Sequence, residues 1–151
     1  MVKPIPDGYH TVTPYLALRD AARAIEFYKK AFGAKEELRI SGPGGKIGHA
    51  EIVIGDSHIM LADEHPERGH LGPQSRGGST VSIMLYLENV DTVVERAVAA
   101  GAKLLMPVAD QFYGDRMGGL EDPFGQVWYV ATHTEDVPAE EMQRRAAAQK
   151  H

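Results

Sequence analysis

The 151-residue sequence predicts an α+β protein made of two βαβββ modules, and three observations predict it. First, residues 16–35, LALRDAARAIEFYKKAFGAK, and residues 85–103, LYLENVDTVVERAVAAGAK, share one pattern. Each reads as a short apolar strand, a turn, a helix and then Gly-Ala-Lys. Second, the spacing repeats: Gly33 and Gly101 are 68 residues apart, and Leu16/Leu18 and Leu85/Leu87 are offset by 69. Third, each copy is followed by short apolar runs punctuated by Gly, Pro and Asp, as expected of strands joined by tight turns. A composition that is 43% hydrophobic and 25% charged is that of a globular chain able to bury a core.

Module one, residues 10–63, opens with a strand over Thr11–Leu18, with Pro14 placing it early or at an edge. Asp20 is the candidate N-cap of the next helix. Its apolar positions Ala21, Ala24, Ile25, Tyr28, Ala31 and Phe32 follow i, i+3, i+4 spacing, with Arg23, Glu26, Lys29 and Lys30 on the other face. Gly33 ends it. Three strands follow, Glu37–Ile40, Gly48–Ile54 and His58–Ala62, separated by Gly42-Pro43-Gly44-Gly45 and Gly55-Asp56-Ser57. Residues 64–79, EHPERGHLGPQSRGGS, form a polar, Gly-rich linker, expected to be a mobile lid or loop. Module two, residues 80–133, repeats the order. It has a strand over Thr80–Leu87, a helix over Val90–Ala100, a strand that starts at Lys103–Met106, and strands at Arg116–Leu120 and Gln126–Thr132 around an Asp122-Pro123-Phe124-Gly125 turn. From Val137 to the end the pattern is an Ala/Gln/Arg-rich peripheral helix with Pro138 in its first turn.

Several classes of function are excluded or disfavoured. A net charge of −5 without a basic stripe argues against a nucleic-acid partner. No cysteine means no disulfide, thiolate metal site or thiol nucleophile. No apolar run approaches the roughly 20 residues of a membrane span, and MVKPIPDGYH lacks a signal-peptide core, so the expected location is cytoplasmic. Gly42-Pro43-Gly44-Gly45 lacks the Lys-Ser/Thr and the helix of a phosphate loop, and no G-x-S-x-G elbow occurs.

The segments TPYLALRDAARAIEFYKKAFGA (13–34), HAEIVIGDSHIMLADE (49–64) and YGDRMGGLEDPFGQVWYVATH (113–133), with the second helix, span most of residues 10–133. On these the chain resembles the vicinal oxygen chelate superfamily, and within it the PhnB-like branch of the glyoxalase/bleomycin-resistance proteins. The resemblance implies a cupped mixed sheet around a cavity with helices on its outer face, and pairing into a homodimer. Metal enzymes of that superfamily draw four ligands from the first and last strands of the two modules. Carried onto this sequence, those positions are Thr13, Met60, Ser82 and Tyr129, and a shift of one residue brings no His or carboxylate to any of them. Hydroxyls and a thioether are poor ligands for a divalent cation that prefers imidazole or carboxylate. The expectation is therefore no metal and no cofactor.

Strand alternation separates two faces: Val127, Tyr129 and Ala131 on one, Trp128, Val130 and Thr132 on the other. The resemblance assigns the first to the cup and the second to the helices. The cup would then be lined by Thr13, Tyr15, Ala17, His58, Met60, Ser82, Met84, Tyr86 and Tyr129, with stacking surface from Phe112, Tyr113 and Trp128. Of these, Trp128 reads as a core residue rather than a stacking platform. Arg116, in the YGDR segment, could receive an anionic group or could instead form a structural pair with an acid. His49 and Glu51, two apart on one strand, suit an acid/base pair, half of a metal site, or an exposed strand face. His65 and His70, with Glu64 and Glu67, read as a solvated loop. The resulting expectation is a metal-free binding protein for a small, flat aromatic or cationic molecule. The alternative is a lyase or isomerase with a rearranged site around His49, including Glu51 and His58.

Overall fold

The computed structural model describes residues 2–149. Its elements run β1 (Tyr15–Leu18), α1 (Ala21–Phe32), β2 (Lys35–Ser41), β3 (Ile47–Ile54), β4 (Ser57–Asp63), a short helix α2 (Pro73–Arg76), β5 (Ser82–Tyr86), α3 (Val90–Ala99), β6 (Lys103–Asp110), β7 (Asp115–Glu121), β8 (Val127–His133) and α4 (Ala139–Ala147). They build two four-stranded mixed sheets of the same topology, β1-β4-β3-β2 and β5-β8-β7-β6. In each, the first strand pairs parallel with the last, and the remaining pairs are antiparallel. These are the two βαβββ modules that the repeat predicts.

Local chemistry explains the elements. Asp20 caps α1 by accepting the Arg23 amide at 3.2 Å. Gly33 ends the helix at φ 69°, a left-handed conformation costly for other residues. Strand β1 starts later than predicted, because Pro14 has no N–H to enter a ladder, although its carbonyl accepts the Met60 amide at 3.0 Å. Strand β6, whose start at Lys103–Met106 the sequence predicts, runs on through Pro107 to Asp110. It is an edge strand whose register shifts between Met106 and Ala109, the setting in which a strand accommodates proline.

One apolar core joins the modules. Tyr28 and Phe32 of α1 meet Trp128 of β8 with ring centroids 5.1 and 4.9 Å apart. Beside them, buried Asp122 accepts four hydrogen bonds. Tyr28 Oη and Trp128 Nε1 donate to one carboxylate oxygen at 2.6 and 2.9 Å, and the amides of Phe124 and Gln126 donate to the other at 2.9 and 3.1 Å. Burial raises the Asp122 pKa and, with Asp122 beside it, keeps the Tyr28 hydroxyl well above its ordinary value.

The 64–79 segment is more structured than a free lid. It holds a 3-10 turn at Pro66–Arg68 and helix α2. Gly72 donates to Glu64 at 2.7 Å and lies so close to β1 that an added Cβ would stand 2.6 Å from the Ala17 carbonyl oxygen. At the other terminus, Arg145 of α4 donates to the Phe112 carbonyl at 3.0 Å and pairs with Glu135 at 2.9 Å, fastening the peripheral helix to the β6–β7 turn. The last two residues of the predicted tail lie outside the described residues.

Candidate functional site

Strand alternation sorts the sheet faces. In β3, Ala50, Ile52 and Ile54 are buried, whereas His49, Glu51 and Val53 point to the opposite, more open face. In β4, Ile59 and Leu61 are buried and Met60 shares the open face. Tyr15 pairs with Met60, and Met60 with Glu51, so these three occupy one rung across β1, β4 and β3. The Tyr15 ring reaches along the face to His49: its hydroxyl is 2.8 Å from Nδ1, and His49 Nε2 is 2.9 Å from Glu51 Oε2. A carboxylate accepts only, so Nε2 carries the proton, Nδ1 is the acceptor in neutral imidazole, and Tyr15 donates. The three side chains make one continuous hydrogen-bonded line. Burial raises the Tyr15 pKa from its ordinary value.

Module two carries a different cluster on its corresponding face. Met84 pairs with Tyr129, and Tyr129 with Gly119, on the rung that matches Tyr15, Met60 and Glu51. Tyr86 Oη donates to buried Asp115 at 2.8 Å. His133 Nδ1 contacts the other Asp115 oxygen at 2.8 Å, and its Nε2 contacts Asp136 at 2.7 Å. The hydrogen bond and charge of Asp115, then those of Asp136, raise the His133 pKa. Tyr113 reaches the same cluster, its hydroxyl 3.6 Å from Met117 Sδ, and packs edge-on against Phe112 at 5.2 Å.

Between the edge strands β1 and β5 lies an open cleft of about 790 Å³. Its walls include Tyr15, Leu71, Val81, Ile83 and Met84, with Arg76 and Ser82 as polar members. Tyr15 is 51% exposed and Met84 42%.

Of the residues expected to line a ligand site, Tyr15, Met60, His49 and Glu51 come together in module one, and Tyr86 and Tyr113 in module two, where Tyr129 shares the face of Tyr86. Two do not join them as expected. Arg116 is on the helix side of β7, where it grips Asp91 through two nitrogens at 2.8 and 2.9 Å and Asp110 at 3.2 Å. Alternation forces this, since its neighbour Asp115 takes the cup face. His58 shares the face of Met60, but the N-terminal arm covers it. Tyr9 stacks on its ring at 3.9 Å, and its buried Nδ1 has no hydrogen-bond partner among the described residues, the Glu37 carboxylate standing 3.9 Å away. Trp128 is fully buried, in the core. His133 was missed in the sequence, although parity with Tyr129 and Ala131 places it on the cup face.

The model of the Glyoxalase/Bleomycin resistance protein/Dioxygenase superfamily matches residues 9–130. The chain belongs to this superfamily. It is 39% identical over 141 residues to the uncharacterized protein Mb0911c of Mycobacterium bovis, covering 91% of this chain and 93% of that protein. Its fold is similar to that of the PhnB protein from Bacillus cereus, with a TM-score of 0.60 at 20% identity over 82% of this chain and 99% of that one. It is also similar to the fosfomycin resistance protein FosX from Listeria monocytogenes, solved with Mn(II) and sulfate (TM-score 0.63, 18% identity, 91% of this chain and 97% of that one). The positions at which the superfamily's metal enzymes hold their ion do not fit one here. Thr13, Met60, Ser82 and Tyr129 offer two aliphatic hydroxyls, a thioether and a phenol, and the one carboxylate on these rungs, Glu51 beside Met60, is already hydrogen-bonded to His49 Nε2. Among the described residues no three His, Asp or Glu side chains converge as a metal site.

Proposed function

We propose that this superfamily member is a small-molecule-binding protein that takes a flat aromatic or cationic ligand without a metal ion. The cleft between β1 and β5 carries the reading: it is open, apolar-walled and flanked by an exposed phenol and an exposed thioether, surfaces suited to a planar ring. The net charge of −5 favours a cation over an anion. Leu38, Ile40, Met84, Tyr86 and Leu104 are all at least 41% exposed, which supports pairing with a second copy that covers them.

The test is calorimetric titration with planar cations, ethidium and berberine, in EDTA, alongside sedimentation velocity. Saturable binding by a dimer is expected, weakened about tenfold, or about 1.4 kcal/mol, by Tyr15→Ala or Met84→Ala. Absence of saturable binding by either dye, or binding that only an added divalent metal restores, overturns the reading.

A further inference from the structure

The line Tyr15–His49–Glu51 is chemically unlike the rest of the cup. In module two the tyrosine proton of Tyr86 already rests on a carboxylate, that of Asp115. In module one the tyrosine proton rests on an imidazole nitrogen, and the imidazole is itself oriented by a carboxylate behind it. A phenol on imidazole on carboxylate can pass a proton inward and return it, because the imidazolium formed is held by the carboxylate. The outer end, Tyr15, is half exposed and lines the cleft, whereas the His49 and Glu51 side chains are 25% and 17% exposed. Tyr15 is therefore the member of the line that a molecule in the cleft meets.

We propose that this line is a proton-transfer site that interconverts the keto and enol forms of a neutral aromatic carbonyl compound bound against Tyr15; this rests on the binding reading for where the ligand lies. A C–H proton next to the carbonyl moves to Tyr15 Oη as the tyrosine proton moves to His49 Nδ1. The C–H electron pair becomes the carbon–carbon double bond of the enolate as the carbonyl π pair moves onto oxygen. Glu51 holds the resulting imidazolium. Return of the proton from His49 through Tyr15 to the enolate oxygen gives the enol, and return to carbon regenerates the ketone. No bond other than those to hydrogen changes partner, and no oxidant or co-reactant is needed. Tyr15 is the catalytic residue that touches substrate, His49 is the proton store, and Glu51 is a positioning residue.

The probe is 2-tetralone, a neutral fused-ring ketone, in D2O with the full chain. Deuterium uptake at C1 is followed by NMR, and binding is followed by saturation transfer to the probe's ring protons. The expected result is exchange about 100-fold above protein-free buffer, lost in Tyr15→Phe and in His49→Gln while saturation transfer persists. Glu51→Gln should slow exchange and also change the His49 tautomer, read from its ring nitrogen shifts, which a merely structural role would leave unmoved. Circular dichroism checks that each variant is folded. Exchange no faster than buffer, or exchange undiminished in Tyr15→Phe, overturns the proposal. Saturation transfer without exchange overturns it while leaving the binding reading intact. Absence of both overturns the proposal too and counts against that reading.

Discussion

His133 shows how a single side chain couples charge to stability. It sits between Asp115 and Asp136, whose carboxylates raise its pKa above the ordinary 6.5. A histidine that binds its proton more tightly folded than unfolded stabilises the fold fully below its ordinary value, and that contribution is lost as pH rises through the raised value. The thermal midpoint should therefore decline over that window above pH 6.5, and His133→Gln should flatten the decline. Scanning calorimetry across neutral pH reads this directly, and parallel curves for the two proteins would refute it. Arg116 illustrates the opposite lesson. As a string, Asp115-Arg116 looks like one polar cluster, yet in a strand adjacent residues face opposite ways. The carboxylate joins Tyr86 on the cup face, and the guanidinium is clamped by Asp91 and Asp110 beside α3.

Among the elements, the 64–79 segment departs furthest from expectation. Its Gly and Pro content reads as a loop, but Gly72 is needed for contact rather than for looseness, since a methyl group there would strike the Ala17 carbonyl. Gly72→Ala should push the segment off β1, cost about 1–3 kcal/mol, and open a protease-sensitive site between residues 64 and 79. Limited proteolysis followed by mass spectrometry would detect the cut, and wild-type resistance in the variant would count against the contact. The helices and inner strands were legible because periodicity and capping are local: Asp20, Gly33 and the apolar stripe of α1 lie within one stretch of chain. The edges were less so. The sequence marks only the start of β6, and pairing with β7 shows the register shift that carries it through Pro107. The site was half legible. Parity put His49 and Glu51 on one face, but the reach of Tyr15 from two strands away depends on the order β1-β4-β3, which no local signal encodes. The covering of His58 by Tyr9 was hidden for the same reason.

At the scale of the whole molecule, the two modules share one interior. Asp122, in the turn between β7 and β8, holds Tyr28 of α1, so removing its carboxylate strands donors in both halves. Urea unfolding should therefore show one transition, with the fluorescence of Trp128, the protein's sole tryptophan, and the far-ultraviolet signal of both modules coinciding. Asp122→Ala should lower that transition as a unit by about 3–5 kcal/mol, since buried donors are left without an acceptor. Two separated transitions would mean that the modules are energetically independent.

The matching rungs of the two sheets hold Tyr15 beside Met60 and Met84 beside Tyr129. The same two residue types recur, but the aromatic has changed strands, from the first of its module to the last. Such an exchange conserves volume at each rung while breaking the likeness of the halves. A planar guest would find its ring partner on the near strand in one half and on the far strand in the other.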